Sequence, residues 1–370
     1  MKAGTVSASL PVFPWDTLSE ATLVARAHPD GIIDLSVGTP VDPVAPVIRD
    51  ALAAASGAPG YPTTAGTPVL RESVVGALRR RYAITGLASS AVLPVIGTKE
   101  FISWLPTLLG LGAADAVVVP ELAYPTYEVG ALLAGTTVVR ADSLTQLGPA
   151  APRLLYLNSP SNPTGKVLGV DHLRKVVEWA RDRGVPVASD ECYLGLGWEQ
   201  MPISVLHPEV CDGDHTGLLA VHSLSKTSSL AGYRAGFVAG DPALVAELLA
   251  VRKHAGMMVP TPVQAAMVAA LDDDVHQEAQ REKYAHRRDA LLPALRSAGF
   301  TVDHSEAGLY LWVTRGEPCR DTVNWLAQRG ILVAPGEFYG PRGGRHVRVA
   351  LTATDERIAA AVQRLADPAR

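Results

Sequence analysis

Short apolar runs alternate along the chain with longer stretches whose apolar positions recur at helical spacing. Candidate strands are the runs Val92–Ile96, Ala116–Val119, Thr137–Arg140, Leu154–Leu157, Val185–Ser189, Leu218–His222 and Ala235–Ala239, several of them near-continuous Val, Leu and Ala. That is the pattern of strands buried on both faces. Between them, Leu70, Val74, Ala77, Leu78 and Tyr82 repeat with a helical period, as do Leu173, Val176, Val177 and Ala180 ahead of Gly184. Strands alternating with helices from Ser56 to Ala250 predict an α/β domain around a mostly parallel central sheet.

The character changes past Pro260. Thr261–Leu271 and Val275–Ala298 read as two helices, the second long and charged. Strands follow near Thr301–Asp303 and Leu309–Val313, then a helix near Asp321–Arg329. Strands near Ile331–Ala334 and Val347–Leu351 precede a last helix from Asp355. This is the pattern of a smaller α+β unit. The first 45 residues carry several prolines and a short strand at Ile32–Leu35, and are expected to pack with that unit. The division expected is a large domain over 46–258 and a small domain from 1–45 and 259–370.

Composition narrows the class. Of 370 residues, 48% are apolar and 19% charged, and 33 Lys and Arg against 37 Asp and Glu leave a formal charge of −4. A chain of this kind buries a large core, which excludes global disorder, and its charge does not suit a nucleic-acid backbone. The three cysteines, Cys192, Cys211 and Cys319, and the scattered histidines suggest neither a disulfide framework nor a metal site. Pro11, Pro14 and Asp16 interrupt any signal-peptide core, and no run of 18 apolar residues exists. The expected location is the cytoplasm.

The chemistry concentrates at the ends of the apolar runs. Ser223-Leu-Ser-Lys226-Thr-Ser-Ser-Leu-Ala-Gly-Tyr-Arg234 follows the run Leu218–His222. A lysine closing a buried strand is costly unless it is solvated or functional. The hydroxyls of Ser223, Ser225 and Thr227 with Arg234 suit an anion, and a desolvated lysine beside them suits a Schiff base. A solvated lysine in a Ser-rich loop fits the same letters. The Ser223-x-x-Lys226 spacing also matches penicillin-binding enzymes, but Lys-Thr-Gly and Ser-Asp-Asn are missing.

Asp190, in Val185-Pro-Val-Ala-Ser-Asp190-Glu-Cys-Tyr193, closes another run, where open α/β sheets bind ligands. A helix cap would use an Asp equally well. Asn162, in Asn158-Ser-Pro-Ser-Asn162-Pro-Thr-Gly165, sits in a Pro-constrained turn. Gly97-Thr98-Lys99-Glu100 opens a helix whose backbone N–H groups suit a phosphate. Tyr124 and Tyr127 follow the next strand and read as core or as stacking aromatics. The nearest dinucleotide pattern, Gly110-Leu-Gly112, lacks its third glycine and precedes a strand.

In this order, over Gly38 to Arg348, the motifs resemble the class I/II aminotransferases, fold-type-I enzymes that use pyridoxal 5′-phosphate. The resemblance implies that Lys226 is the Schiff-base lysine and Asp190 the partner of the pyridine nitrogen. Tyr193 and Asn162 would hydrogen-bond the phenolic oxygen, and Tyr124 would stack on the ring. Thr98, Lys99 through its backbone, Ser223, Ser225 and Arg234 would form the phosphate cup. Tyr61, in Gly60-Tyr-Pro-Thr-Thr-Ala-Gly66, would reach the neighbouring subunit's phosphate in a homodimer. Arg348 would clamp the substrate α-carboxylate, with Gly38, in Leu35-Ser-Val-Gly-Thr-Pro40, and Asn162 completing that pocket.

A closer resemblance, to actinobacterial succinyldiaminopimelate aminotransferases, rests on Leu10–Asp16, Pro94–Phe101, Val187–Tyr193 and His254–Pro260. It implies amino-acid and 2-oxo-acid substrates of lysine biosynthesis, with glutamate and 2-oxoglutarate as the other pair. Another aminotransferase or a carbon–sulfur lyase of the same fold is the alternative, since fold does not settle reaction. An effector-binding regulator would need an added basic DNA-binding module. No motif names the group that holds a distal carboxylate; Lys99 is the first candidate, with Arg26, Lys253 and the Trp15 neighbourhood behind it.

Overall fold

The computed structural model describes residues 6–148 and 151–366. Its large sheet has seven strands: β2 (Val92–Ile96), β3 (Ala116–Val119), β4 (Thr137–Arg140), β5 (Leu154–Asn158), β6 (Val187–Asp190), β7 (Leu218–Ser223) and β8 (Ala235–Gly240). They lie in the order β2-β8-β7-β6-β5-β3-β4. Every residue of β5, β6, β7 and β8 is buried, as the continuous apolar runs require.

The strands β4, β3, β5, β6 and β7 are parallel, while β8 runs antiparallel to both β7 and β2. The cause is local. Parallel strands need a crossover of about a dozen residues or more, usually a helix. Between β7 and β8 stand only the single helical turn Leu224–Thr227 and the 3-10 turn Ala231–Tyr233. The chain therefore doubles back.

Helices cover both faces. Phe101, Ile102, Leu105, Tyr127 and Leu248 pack one face, from helices Thr98–Leu108, Thr126–Leu133 and Pro242–Ala255. Leu70, Val74, Leu173, Val177 and Met267 pack the other, from helices Pro68–Tyr82, Val170–Asp182 and Thr261–Asp272. The last of these corrects an expectation. Its sequence groups it with the C-terminal unit, yet Ala266, Met267, Ala270 and Leu271 are buried in the core of the large sheet, and it packs on helices Pro46–Ala54 and Pro68–Tyr82. The break in character at Pro260 comes one helix before the packing changes.

The smaller core surrounds a four-stranded antiparallel sheet, β12-β13-β10-β9, formed by β9 (Thr301–Val302), β10 (Tyr310–Thr314), β12 (Ala334–Pro335) and β13 (Val347–Ala350). The run read as one strand over Ile331–Ala334 is divided between β11 (Ile331–Leu332) and β12. Strand β11 pairs in parallel with β1 (Ile33–Asp34), and the Ala350 N–H donates to the Leu35 carbonyl at 2.9 Å. The N-terminal segment is thus stitched to the C-terminal sheet, which carries residues 36–38 up to the ends of β6 and β7.

Candidate active site

The carboxyl ends of β6 and β7, the start of helix Thr98–Leu108 and the segment Phe13–Thr39 enclose a cavity of about 680 Å³. Its walls include Gly38, Thr98, Lys99, Tyr124, Asn162, Asp190, Tyr193, Ser223, Ser225, Lys226, Arg234 and Arg348. Of the sequence-based candidates, Tyr61 stays outside, 98% exposed. Arg26 and Lys253 are also exposed and away from the cavity wall, whereas Trp15 lines it.

Asp190 is buried at the end of β6. Its Oδ2 accepts from the Tyr127 hydroxyl at 2.7 Å and its Oδ1 from the Cys192 N–H at 3.2 Å. Burial raises its carboxyl above the usual range. A carboxylate in that position is stabilised by a cation placed against it. Tyr127 is a residue the sequence left without a role. It is fully buried, and its ring stacks on Tyr156 with centroids 4.9 Å apart. The helix from Thr126 sets it one turn beyond Tyr124, so one tyrosine lines the cavity while the other braces the carboxylate from behind.

Lys226 closes the short turn after β7 and donates from Nζ to the Gly38 carbonyl. Burial depresses its pKa, and the charges of Arg348 and Arg234 add to the effect. An amine in that state is available as a nucleophile. Asn162 is held by its own turn, where its backbone N–H donates to the Asn158 Oδ1 at 2.6 Å. Asn158 in turn donates to the Asp190 carbonyl at 2.9 Å, which ties that turn to β6.

Arg348 is 2% exposed. Its Nη1 donates to Asn162 Oδ1 at 2.9 Å and its Nη2 to the Ser36 carbonyl at 2.7 Å, while Nε has no hydrogen-bond partner among the described residues. A buried guanidinium with no carboxylate and an unused donor suits a planar anion. The Tyr310 ring lies 3.8 Å from it. No sequence signal singles out Tyr310, because a tyrosine in the apolar run Leu309–Val313 reads as core.

A second anion cradle lies at the other end. Helix Thr98–Leu108 begins at Gly97 (φ +76°) with no side-chain cap, so its first N–H groups are open to a ligand. A Cβ on Gly97 would overlap the Arg234 guanidinium, so glycine is required twice over. Ser223, Ser225, Thr98 and Arg234 edge the same end. Glu100, next to that cradle in sequence, serves elsewhere, as its carboxylate pairs with Arg252 at 2.9 and 3.1 Å. Lys99 is exposed at the mouth, its Nζ 5.4 Å from the centre of the Phe13 ring. Partial desolvation by the cavity wall and the Arg234 charge hold its pKa below the usual lysine value.

The residues fit pyridoxal phosphate in its three charged or reactive parts. The capless helix start with its hydroxyls and Arg234 suits a phosphate, the buried Asp190 a protonated ring nitrogen, and the depressed Lys226 amine an aldehyde carbon. Among the described residues no helix is long and apolar enough to cross a membrane.

Comparisons with known proteins point to one family. The family model for aminotransferase class I and II matches residues 30–365. A probable aminotransferase of Mycobacterium tuberculosis is 81% identical over 98% of this chain and 87% of its own length. A 4-dedimethylamino-4-oxo-anhydrotetracycline transaminase of Streptomyces rimosus is 59% identical over 96% of this chain and 99% of its own. The solved structure of a probable N-succinyldiaminopimelate aminotransferase of Thermus thermophilus superposes with a TM-score of 0.86 at 27% identity, covering 95% of this chain and 99% of that one.

Proposed function

The chain belongs to the class I and II aminotransferases, the pyridoxal-phosphate enzymes of fold type I, and we propose that it exchanges an amino group between N-succinyl-L,L-diaminopimelate and the 2-oxoglutarate–glutamate pair. One observation carries the transaminase chemistry: a depressed lysine amine, a buried carboxylate and a buried guanidinium without a carboxylate face a single cavity.

Pyridoxal phosphate, when bound, supplies a conjugated ring that takes up the electron pair left when the Cα–H bond of an amino acid breaks. The protein does the rest. Lys226 would hold the cofactor covalently, and its amine would serve as the general base for the Cα proton. Asp190, braced by Tyr127, would keep a proton on the ring nitrogen. Tyr193 and Asn162 would hydrogen-bond the phenolic oxygen, and Tyr124 would stack on the ring. Thr98, the Lys99 backbone, Ser223, Ser225 and Arg234 would bind the phosphate. Arg348 and Gly38 would hold the α-carboxylate and so fix which bond breaks.

The specific substrate is supported by the Thermus relative's name and by the cation at the mouth. Glutamate and the succinylated donor both carry a carboxylate beyond the one Arg348 takes. Lys99, an exposed lysine on the cavity wall, is the group assigned to receive it. Lys99→Ala is expected to raise KM for the succinylated donor about tenfold, the loss of roughly 1.4 kcal/mol of a rim charge contact, with cofactor affinity unchanged. A change below about threefold identifies Lys99 as a solvated surface lysine.

A second reading draws on the Streptomyces relative, named a 4-dedimethylamino-4-oxo-anhydrotetracycline transaminase, and takes a polycyclic ketone as the substrate here. Phe13 and Trp15 line the mouth here, and aromatic walls suit such a substrate. Coupled turnover with a panel of amino donors and ketones separates the two. The first reading expects the highest kcat/KM with N-succinyl-L,L-diaminopimelate. Preference for aspartate, an aromatic amino acid or a polycyclic ketone removes the lysine-pathway assignment and leaves the family intact.

The active form is a homodimer in which Tyr61 of each protomer completes the phosphate site of the other. Its full exposure in a single chain supports this. Tyr61→Phe is expected to weaken cofactor affinity by about tenfold, the loss of one charge-assisted hydrogen bond, while thermal stability of the apoprotein stays the same. A fully active monomer at micromolar concentration contradicts the dimer.

A further inference from the structure

Tyr310 touches both ends of the site, yet the chemistry above gives it no task. Its position follows from sheet register. In the antiparallel pair β10–β13, Trp312 is opposite Arg348 and Tyr310 opposite Ala350. Alternation puts Tyr310 and Trp312 on one face, so Tyr310 is the diagonal neighbour of Arg348. The ring packs 3.8 Å from the guanidinium. It meets the Tyr193 ring edge-to-face, centroids 5.7 Å apart, with the two hydroxyl oxygens 3.1 Å apart. Gly38 leaves room for it, since a Cβ there would overlap the Tyr310 hydroxyl. The Gly38 carbonyl accepts from Lys226.

A phenylalanine would fill the same space and keep the cation–π contact, so the hydroxyl calls for its own explanation. Two phenols bonded to each other hold two hydrogens, and one of these makes the bond between them. If Tyr193 gives its hydrogen to the cofactor's phenolic oxygen, the bond between the phenols must run from Tyr310 to Tyr193. We propose that Tyr310 is a positioning residue joining the two ends of the site: its ring carries the Arg348 guanidinium, and its hydroxyl donates to Tyr193, leaving the Tyr193 hydrogen for the phenolic oxygen. This rests on the assignments of Tyr193 and Arg348 proposed above.

The inference separates ring from hydroxyl, and so do the variants. The readout is the pH midpoint of the bound cofactor's absorbance in substrate-free holoenzyme, together with KM for glutamate. Besides Tyr310, the charged and titratable groups around Lys226 and Tyr193 are Asp190 and Cys192 beside the end of β6, Lys99, Tyr124 and Tyr127 near the two helix starts, Tyr284 on helix Asp274–Ser297, Arg234 ahead of β8 and Arg348 on β13. All are unchanged in the variants. Tyr310→Phe is expected to raise the midpoint by roughly half a pH unit, the effect of weakening one hydrogen bond to the phenolate, and to leave KM within about threefold. Tyr310→Leu is expected to raise the midpoint similarly and also to raise KM about tenfold, through the lost cation–π contact. An unmoved midpoint in Tyr310→Phe overturns the role of the hydroxyl. A KM that rises as much in Tyr310→Phe as in Tyr310→Leu overturns the role of the ring. Should Tyr310→Leu fail to fold, the Tyr310→Phe midpoint still decides. A wild-type protein that takes up no cofactor overturns the proposed function and this inference together, whereas a wild type that titrates beside an identical Tyr310→Phe overturns this inference alone.

Discussion

Lys226→Ala is expected to lower kcat by about 10⁴-fold or more, at least roughly 5.4 kcal/mol of barrier. Two functions are lost together. The half-buried amine that faces the cavity and contacts the Gly38 carbonyl disappears, and with it the covalent hold on the cofactor. The base for the Cα proton disappears too, and the other lysine on the cavity wall, Lys99, stands at the exposed mouth beside Phe13. Because the remaining wall is untouched, the variant is expected to fold and to bind pyridoxal phosphate non-covalently. Steady-state turnover with glutamate and 2-oxoglutarate, measured beside the circular dichroism of the apoprotein, checks both halves. A variant retaining more than about one per cent of wild-type turnover contradicts the assignment.

Asp190→Ala is expected to lower kcat by about 10³-fold, close to 4 kcal/mol, with a much smaller change in KM. The carboxylate touches no substrate in this account. In the proposed mechanism it keeps a proton on the ring nitrogen, so its loss would be felt as the Cα–H bond breaks, not in the grip on the α-carboxylate assigned to Arg348. Burial gives the effect its size, since a charge interaction in a dry site is worth more than in water. Asp190→Asn, which keeps an acceptor for the Tyr127 hydroxyl, is expected to be nearly as slow. That separates loss of charge from loss of packing. Activity within about tenfold of wild type in either variant removes Asp190 from the chemistry.

The backbone was most legible where burial is most complete. Strands β2 to β8 fall within two residues of their apolar runs; for all but the edge strand β4, whose residues are exposed or half-buried, a strand covered by packing leaves its length apolar. Direction was not legible. Ala235–Ala239 reads as a strand whichever way it points, and only the turn-sized link from Ser223 makes β8 antiparallel. The grouping of helix Thr261–Asp272 failed for a related reason, since an apolar stripe shows that a helix is buried and not against which core.

Several of the candidate residues at the cavity break local rules. Lys226 and Asp190 put charge at the ends of buried strands, Gly97 stands at a helix start, and Asn162 sits in a Pro-constrained turn. Tyr127 and Tyr310 break no rule. Each is an aromatic in an apolar stretch, and what distinguishes them is a contact across the fold, Tyr127 with Asp190 and Tyr310 with Tyr193. Glu100 is the reverse case. It is a charge beside the phosphate cradle whose partner, Arg252, lies on a distant helix.

The central claim is that this cavity binds pyridoxal phosphate through Lys226. Borohydride reduction of the holoenzyme, followed by peptide mass mapping, tests it most directly, because reduction fixes the cofactor to whichever amine holds it. The account predicts a yellow protein that bleaches on reduction and carries a single pyridoxyl label on Lys226. A protein that takes up no cofactor, or a label on Lys99 or another lysine, would contradict it.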